Sequence, residues 1–206
     1  CMNCHMPYTT YGLLKASRSH AIESPSVATT LEVGRPNGCN MCHLDKSLGW
    51  TADYLKKWYD ASSPELPKDE KELCFTVLSA LKGNAIQRAL AAWALGWSEA
   101  QKASTTDWAT PFLGFLLQDN YHAVRFIADR SLRSLHAPQE IQYDSLATKA
   151  ERDRAARAIV QQWLRDKQNR PTKGESFLMD ASGQPNIGAI NQRLKQRDTQ
   201  EIVIGE

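Results

Sequence analysis

Apolar residues are unevenly spread along this chain. Positions 1–50 hold few that could form a core alone, whereas 73–164 are rich in Leu, Ala, Val, Ile and Trp. In the rich stretch they recur every three or four residues, the period of a helix with one buried face. Residues 71–83 (KELCFTVLSALKG) and 84–97 (NAIQRALAAWALGW) read as helices meeting at Gly83-Asn84, a stop followed by a cap. Residues 107–118 and 120–136 make a second pair. In the latter, Val124, Ile127, Ala128, Leu132 and Leu135 form an apolar face, with Arg125, Asp129 and Arg133 opposite. Residues 148–167 open with a Thr148–Glu151 capping box and offer Ile159, Val160, Trp163 and Leu164 for burial. A short amphipathic helix is predicted over 51–59, with Thr51 as its N-cap.

Paired helices joined by short turns predict an α-solenoid of about two repeats and a final helix, with a plain helical bundle as the simpler alternative. So short an array needs support, and the N-terminal segment is its expected neighbour. The charged stretch 60–70, with two prolines, marks the boundary. The expected fold is mainly α: a small irregular module over 1–60, a helical repeat domain over 71–167, and an extended polar tail over 168–206. In that tail, 176–186 reads as a turn and 199–206 as an edge segment able to lie on the helices or on a partner.

Composition adds bounds. The chain has 206 residues, 42% of them hydrophobic, enough for one good-sized domain or a small module plus a larger one. A net charge of +2 is too near neutral to argue for nucleic acid. No run of about twenty apolar residues is present, so no transmembrane segment is expected. The sequence opens inside a motif with no signal peptide ahead of it, and reads as a processed chain or the C-terminal part of a longer one. A lipoprotein cysteine is a weaker fit, because Cys1 already has a place in that motif.

The N-terminal segment needs something to fold around, and two pentapeptides supply the reason. CMNCH (1–5) and CNMCH (39–43) use four of the five cysteines. Cys-x-x-Cys-His is the attachment signature of c-type haem. Two thiols add to the vinyl groups on one porphyrin edge, and the adjacent imidazole reaches iron from the same side. One helical turn arranges this, since Cys4 and His5 follow Cys1 by three and four positions. Zinc would explain two Cys-x-x-Cys pairs but not the trailing His5 and His43, and the 34 residues at positions 5 to 38 exceed the usual ribbon spacing. A thioredoxin-like dithiol lacks its βαβ context, and disulfides would not select the histidines. Two c-type haems on Cys1, Cys4, His5 and on Cys39, Cys42, His43 are therefore the predicted cofactors. Their apolar faces would serve the segment as a core, and their propionates would add about four negative charges. Cys74, the remaining cysteine, reads as a small buried hydrophobe.

Three further histidines could supply sixth ligands. His20, in RSHAIESP (18–25), lies in a loop between the motifs and is the leading candidate. His122, in the first turn of its helix, and His136, at the helix end, are more simply structural. CMNCHMPY, RSHAIESP and RPNGCNMCHLDKSLGW together resemble the C-terminal haem pair of multihaem c-type cytochromes related to cytochrome c554 and pentahaem nitrite reductase. More closely, the chain is similar to multihaem cytochromes in which this pair precedes HEAT-like helical repeats. The specific resemblance covers about residues 1–60. It implies bis-histidine, low-spin haems and a ligand role for His20. In nitrite reductase the matching histidine serves a haem attached upstream, so three choices stay open: a local haem, one on a preceding segment, or one in a neighbouring subunit. The active-site haem of that enzyme sits on a pentapeptide ending in Lys, and no Cys-x-x-Cys-Lys occurs here.

The expected function is electron transfer by a multihaem cytochrome, with redox partner proteins or further multihaem subunits as neighbours. The helical repeats or the tail are the expected contacts. Two alternatives stand beside it: a haem enzyme of peroxidase or nitrogen-oxide reductase type with one open iron site, and a docking subunit of a redox complex. No phosphate loop, nucleophile elbow or His-Glu-x-x-His motif competes. Haem attachment occurs outside the cytoplasmic membrane, so the periplasm or cell exterior is the expected location.

Overall fold

The computed structural model describes residues 1–12, 14–135, 141–167 and 175–200. The N-terminal part is a set of short elements. A single turn, α1 (Met2–His5), leads into an antiparallel hairpin, β1 (Tyr8–Gly12) and β2 (Lys15–Arg18), with Tyr8 opposite Arg18. Helices α2 (Val27–Val33), α3 (Gly38–Cys42) and α4 (Leu48–Tyr59) come next. Periodicity could not find α1, α2 or α3, because one or two turns are too short to display it.

α4 begins a turn earlier than expected. Ser47 caps it, its Oγ accepting from Trp50 N at 3.0 Å. Thr51, expected at the cap, is fully buried and donates to Asn40 Oδ1 at 2.8 Å. The extra turn is possible because Gly49 lies against the backbone of α5 (Lys68–Glu72), where a Cβ would meet Lys71 O at 2.5 Å.

The helix expected over 71–83 is two. After α5 the chain is extended at Leu73, and α6 (Phe75–Lys82) starts afresh. Long-range contacts impose the break: Cys74 N donates to Ser176 O at 2.8 Å and Phe75 N to Lys46 O at 3.0 Å. Cys74 is buried as expected, with its Sγ donating to Leu44 O at 2.8 Å.

Beyond this, α7 (Ala85–Leu95) has its Asn84–Gln87 capping box, with Asn84 N on Gln87 Oε1 at 2.8 Å and Gln87 N on Asn84 Oδ1 at 3.0 Å. A short α8 (Ser98–Ala103) precedes α9 (Ala109–Leu116), α10 (His122–Ser134) and α11 (Lys149–Lys167), the last opened by the Thr148–Glu151 pair. α7 lies against α6 and α10, and α9 against α10 and α11. The core between them holds Trp108, Phe112, Leu113, Leu116, Val124 and Ile127, all fully buried. Each such side chain contributes roughly 1.5–3 kcal/mol.

Two expectations about polarity fail. Arg125, assigned to the wet face of α10, is buried; its Nε donates to Ser145 O at 3.0 Å and its Nη1 to Asp119 O and Asn120 O at 2.9 and 2.8 Å. A guanidinium can face inward when loop carbonyls meet it. The described part of the tail, 175–200, is not extended either. It forms a 3₁₀ turn (Glu175–Phe177), the expected turn before 187, and α12 (Ile187–Leu194). Phe177 stacks on Trp108 at 4.8 Å, Ile190 is fully buried, and Arg197 reaches back to Leu81 O and Asp119. Most of the predicted edge segment over 199–206 lies outside the described residues.

Candidate functional site: two attachment turns

Each pentapeptide folds as one helical turn. In α1, Cys1 stands at the N-cap, and one turn brings Cys4 and His5 around to its side; His5 N donates to Cys1 O at 2.9 Å. Cys1, Cys4 and His5 are all exposed. The His5 ring is already oriented, with Nδ1 2.8 Å from Glu23 O. That bond makes Nδ1 the donor and leaves Nε2 as the nitrogen free for a metal, the arrangement that fixes tautomer and ring direction in ligating histidines. Glu23 N returns a bond to His5 O at 2.9 Å, and Ser19 N bonds Pro7 O at 2.9 Å. The segment 19–23 is thus pinned at both ends beside α1. His20, exposed at a bend, sits between the two pins.

The second turn is more deeply rooted. Asn37 caps α3, its Oδ1 accepting from Cys39 N and Asn40 N at 3.0 and 3.1 Å. Buried Asn40 ties the turn to the start of α4: its Nδ2 donates to Lys46 O and Ser47 O, while its Oδ1 accepts from Asn37 and Thr51. Met41 and Leu44 belong to the hydrophobic core. His43 lies beside Trp50, ring centroids 5.0 Å apart. From there an aromatic row runs along α4 at four-residue spacing, Trp50 to Tyr54 at 4.7 Å and Tyr54 to Trp58 at 4.8 Å. Trp58, at its end, is 58% exposed.

The two turns abut. A Cβ on Gly38 would fall 2.6 Å from Cys4 O and 2.8 Å from Cys4 Cα, so only glycine allows this backbone approach. Burial comes first in pushing the Cys42 thiol up to about 11; Cys4, Cys39 and Glu99 add to it, and Arg18 opposes it. Cys39 is raised by burial and by Cys4. α1 and α8 both lie against α3.

None of the five cysteines is joined to another in a disulfide. Among the described residues, no group of three or more His, Cys, Asp and Glu converges on a point where a metal ion could be held. The arrangement does fit a porphyrin. Paired thiols and a histidine lie on a single turn in each case, and at the first turn the imidazole is already oriented. Around that turn, Met2 and Ile22 expose 60% and 79% of their surface, apolar area that a haem face would cover.

His122 opens α10, its Nε2 3.1 Å from Ser145 Oγ and its ring beside Phe126; none of these contacts is with an attachment turn. His136 lies outside the described residues. Sequence reasoning missed Arg18, Glu23, Asn40 and Trp50. Only Asn37, a capping residue before a motif, carried a local signal. Among the described residues no helix is long and apolar enough to cross a membrane.

No curated protein and no solved structure gives a significant match to the chain. The family model for cytochrome c552 matches residues 1–202, a span that takes in both Cys-x-x-Cys-His turns and the helices around them. The chain belongs to that family of multihaem c-type cytochromes, whose haem iron is covalently held.

Proposed function

We propose that the chain holds two haems, one thioether-linked to Cys1 and Cys4 with His5 on iron, the other to Cys39 and Cys42 with His43 on iron, and that it relays electrons. When bound, each haem supplies a one-electron iron couple. The protein holds the cofactors at a fixed mutual position, orients His5 through Glu23, and walls His43 with Trp50. The abutment of Gly38 against Cys4 carries the reading, because it makes the two cofactor sites immediate neighbours. Charge then passes within one chain.

His20 is the proposed sixth ligand nearest at hand, supported by the pinned loop beside His5. The helices over 71–167 act as a HEAT-like platform that docks the pair into a larger redox assembly, in the periplasm or at the cell exterior. One observation favours a second reading, a haem enzyme of peroxidase or nitrogen-oxide reductase type. Among the described residues, His20 is the one histidine beyond the motifs in a segment tied to an attachment turn, so one iron could keep an open position.

Intact-mass measurement and a pyridine haemochrome count on native protein are expected to give two haems per chain. A wholly low-spin spectrum, unchanged by carbon monoxide or cyanide, is expected for the relay; a ligand-sensitive high-spin fraction would favour the enzyme. Absence of covalent haem would end both readings.

A further inference from the structure

The first attachment turn is gripped by a cation that the ligand set does not require. Arg18, at the end of β2, donates through Nη1 to Met2 O and Met6 O at 3.1 and 3.0 Å, and through Nη2 to Asn3 Oδ1 at 2.6 Å. These acceptors belong to α1 and its C-cap, Met6; Met2 O also accepts the helical bond from Met6 N at 2.8 Å. The guanidinium also lies 4.2 Å over the Tyr8 ring, and Tyr8 packs on Trp93 and Trp97 at 4.4 and 5.3 Å. One side chain therefore fastens the pentapeptide to the hairpin, and the hairpin to the helices. Glu23, whose backbone is bonded to His5 O beside this turn, does not cancel the Arg18 charge, because it is ion-paired with Arg35. Glu99 belongs to α8, which lies against the second turn, α3.

We propose that Arg18 is a positioning residue that also sets the reduction potential of the haem on Cys1 and Cys4, its fixed positive charge favouring the reduced iron. The inference rests on haem attachment as proposed above. It concerns a couple in which one electron enters per iron and no bond is made or broken. A half-buried unit charge acting through an effective dielectric constant of about 20 changes an equilibrium about tenfold at a separation of roughly 12 Å.

The test is a dithionite titration of native holoprotein, followed optically and fitted as two one-electron components, for wild type, Arg18→Gln and Arg18→Lys. Haem stoichiometry is checked by intact mass in each. With Arg18→Gln, the reduced-to-oxidised ratio of one component at a fixed potential is expected to fall about tenfold, about 59 mV for a one-electron couple. Arg18→Lys stays within about threefold of wild type. Unchanged components in Arg18→Gln would overturn the inference, as would an equal shift in Arg18→Lys. If Arg18→Gln fails to load the first haem, Asn3→Asp keeps the hydrogen bond and offsets the charge; it should lower the same ratio, and no change there would also overturn it. A wild type without covalent haem would instead sink the parent reading.

Discussion

Gly38→Ala tests the contact on which the paired sites depend. The added methyl would lie 2.6 Å from Cys4 O, 2.8 Å from Cys4 Cα and 3.0 Å from Asn3 O, all backbone atoms that cannot rotate away. Overpacking of this kind costs about 1–3 kcal/mol. Opposing it, alanine lowers the entropy of the unfolded chain and favours the helix, by roughly 0.5–1 kcal/mol. The net expectation is a loss of about 1–2 kcal/mol, which lowers Tm by about 2–8 °C for a chain of this size. Gly12→Ala is the control, because nothing lies within 4 Å of its would-be Cβ; it should stay within about 0.5 kcal/mol. Thermal unfolding followed by far-UV circular dichroism on holoprotein gives the answer. The sign decides: were the close approach absent, propensity alone would raise Tm, and a Gly38→Ala variant at or above wild type would refute the reasoning.

Three further outcomes are expected. Asp119 is fully buried and takes both Arg88 and Arg197, so Asp119→Ala should cost about 3–5 kcal/mol by urea unfolding, with partial recovery on adding Arg88→Met; a loss under about 1 kcal/mol would show the pairs are dispensable. Burial pushes the Cys74 thiol up to about 12, so native protein with both haems attached should resist alkylation and denatured protein should label once, on Cys74; five labels would mean no thioether bonds. Arg193 hydrogen-bonds Asp69 and holds its carboxyl below the usual range, so this pair contributes stability above the unfolded pKa near 4 and loses it as pH falls through the lower folded value. Asp69→Asn should therefore flatten the acid limb of the stability curve, and an unchanged limb would discount the pair.

What could be read from residues alone is set by a physical divide. The thiol and imidazole spacing needs only one helical turn, so both pentapeptides were legible, as were α7, α9, α10 and α11, whose apolar stripes run for two turns or more. The break at Leu73, the buried Thr51 and the inward Arg125 depend on groups distant in sequence, the carbonyls of Lys46, Ser176 and Ser145 among them, which no local pattern announces. Arg18 is the plainest case. In the sequence it is one charge in a polar run; the hairpin register that seats it over Tyr8 makes it a clamp on the first motif. The tail misled for a related reason, because Phe177 and Ile190 are too few to read as a buried face until Trp108 is set against them.

The aromatic row on α4 gives the molecule an optical gauge of its own loading. Indole emission is drained by a nearby porphyrin, and Trp50 stands against the side chain proposed to hold the second iron. Fluorescence from this helix should fade as that cofactor is installed and return if it is lost, so maturation could be followed in dilute solution without a label.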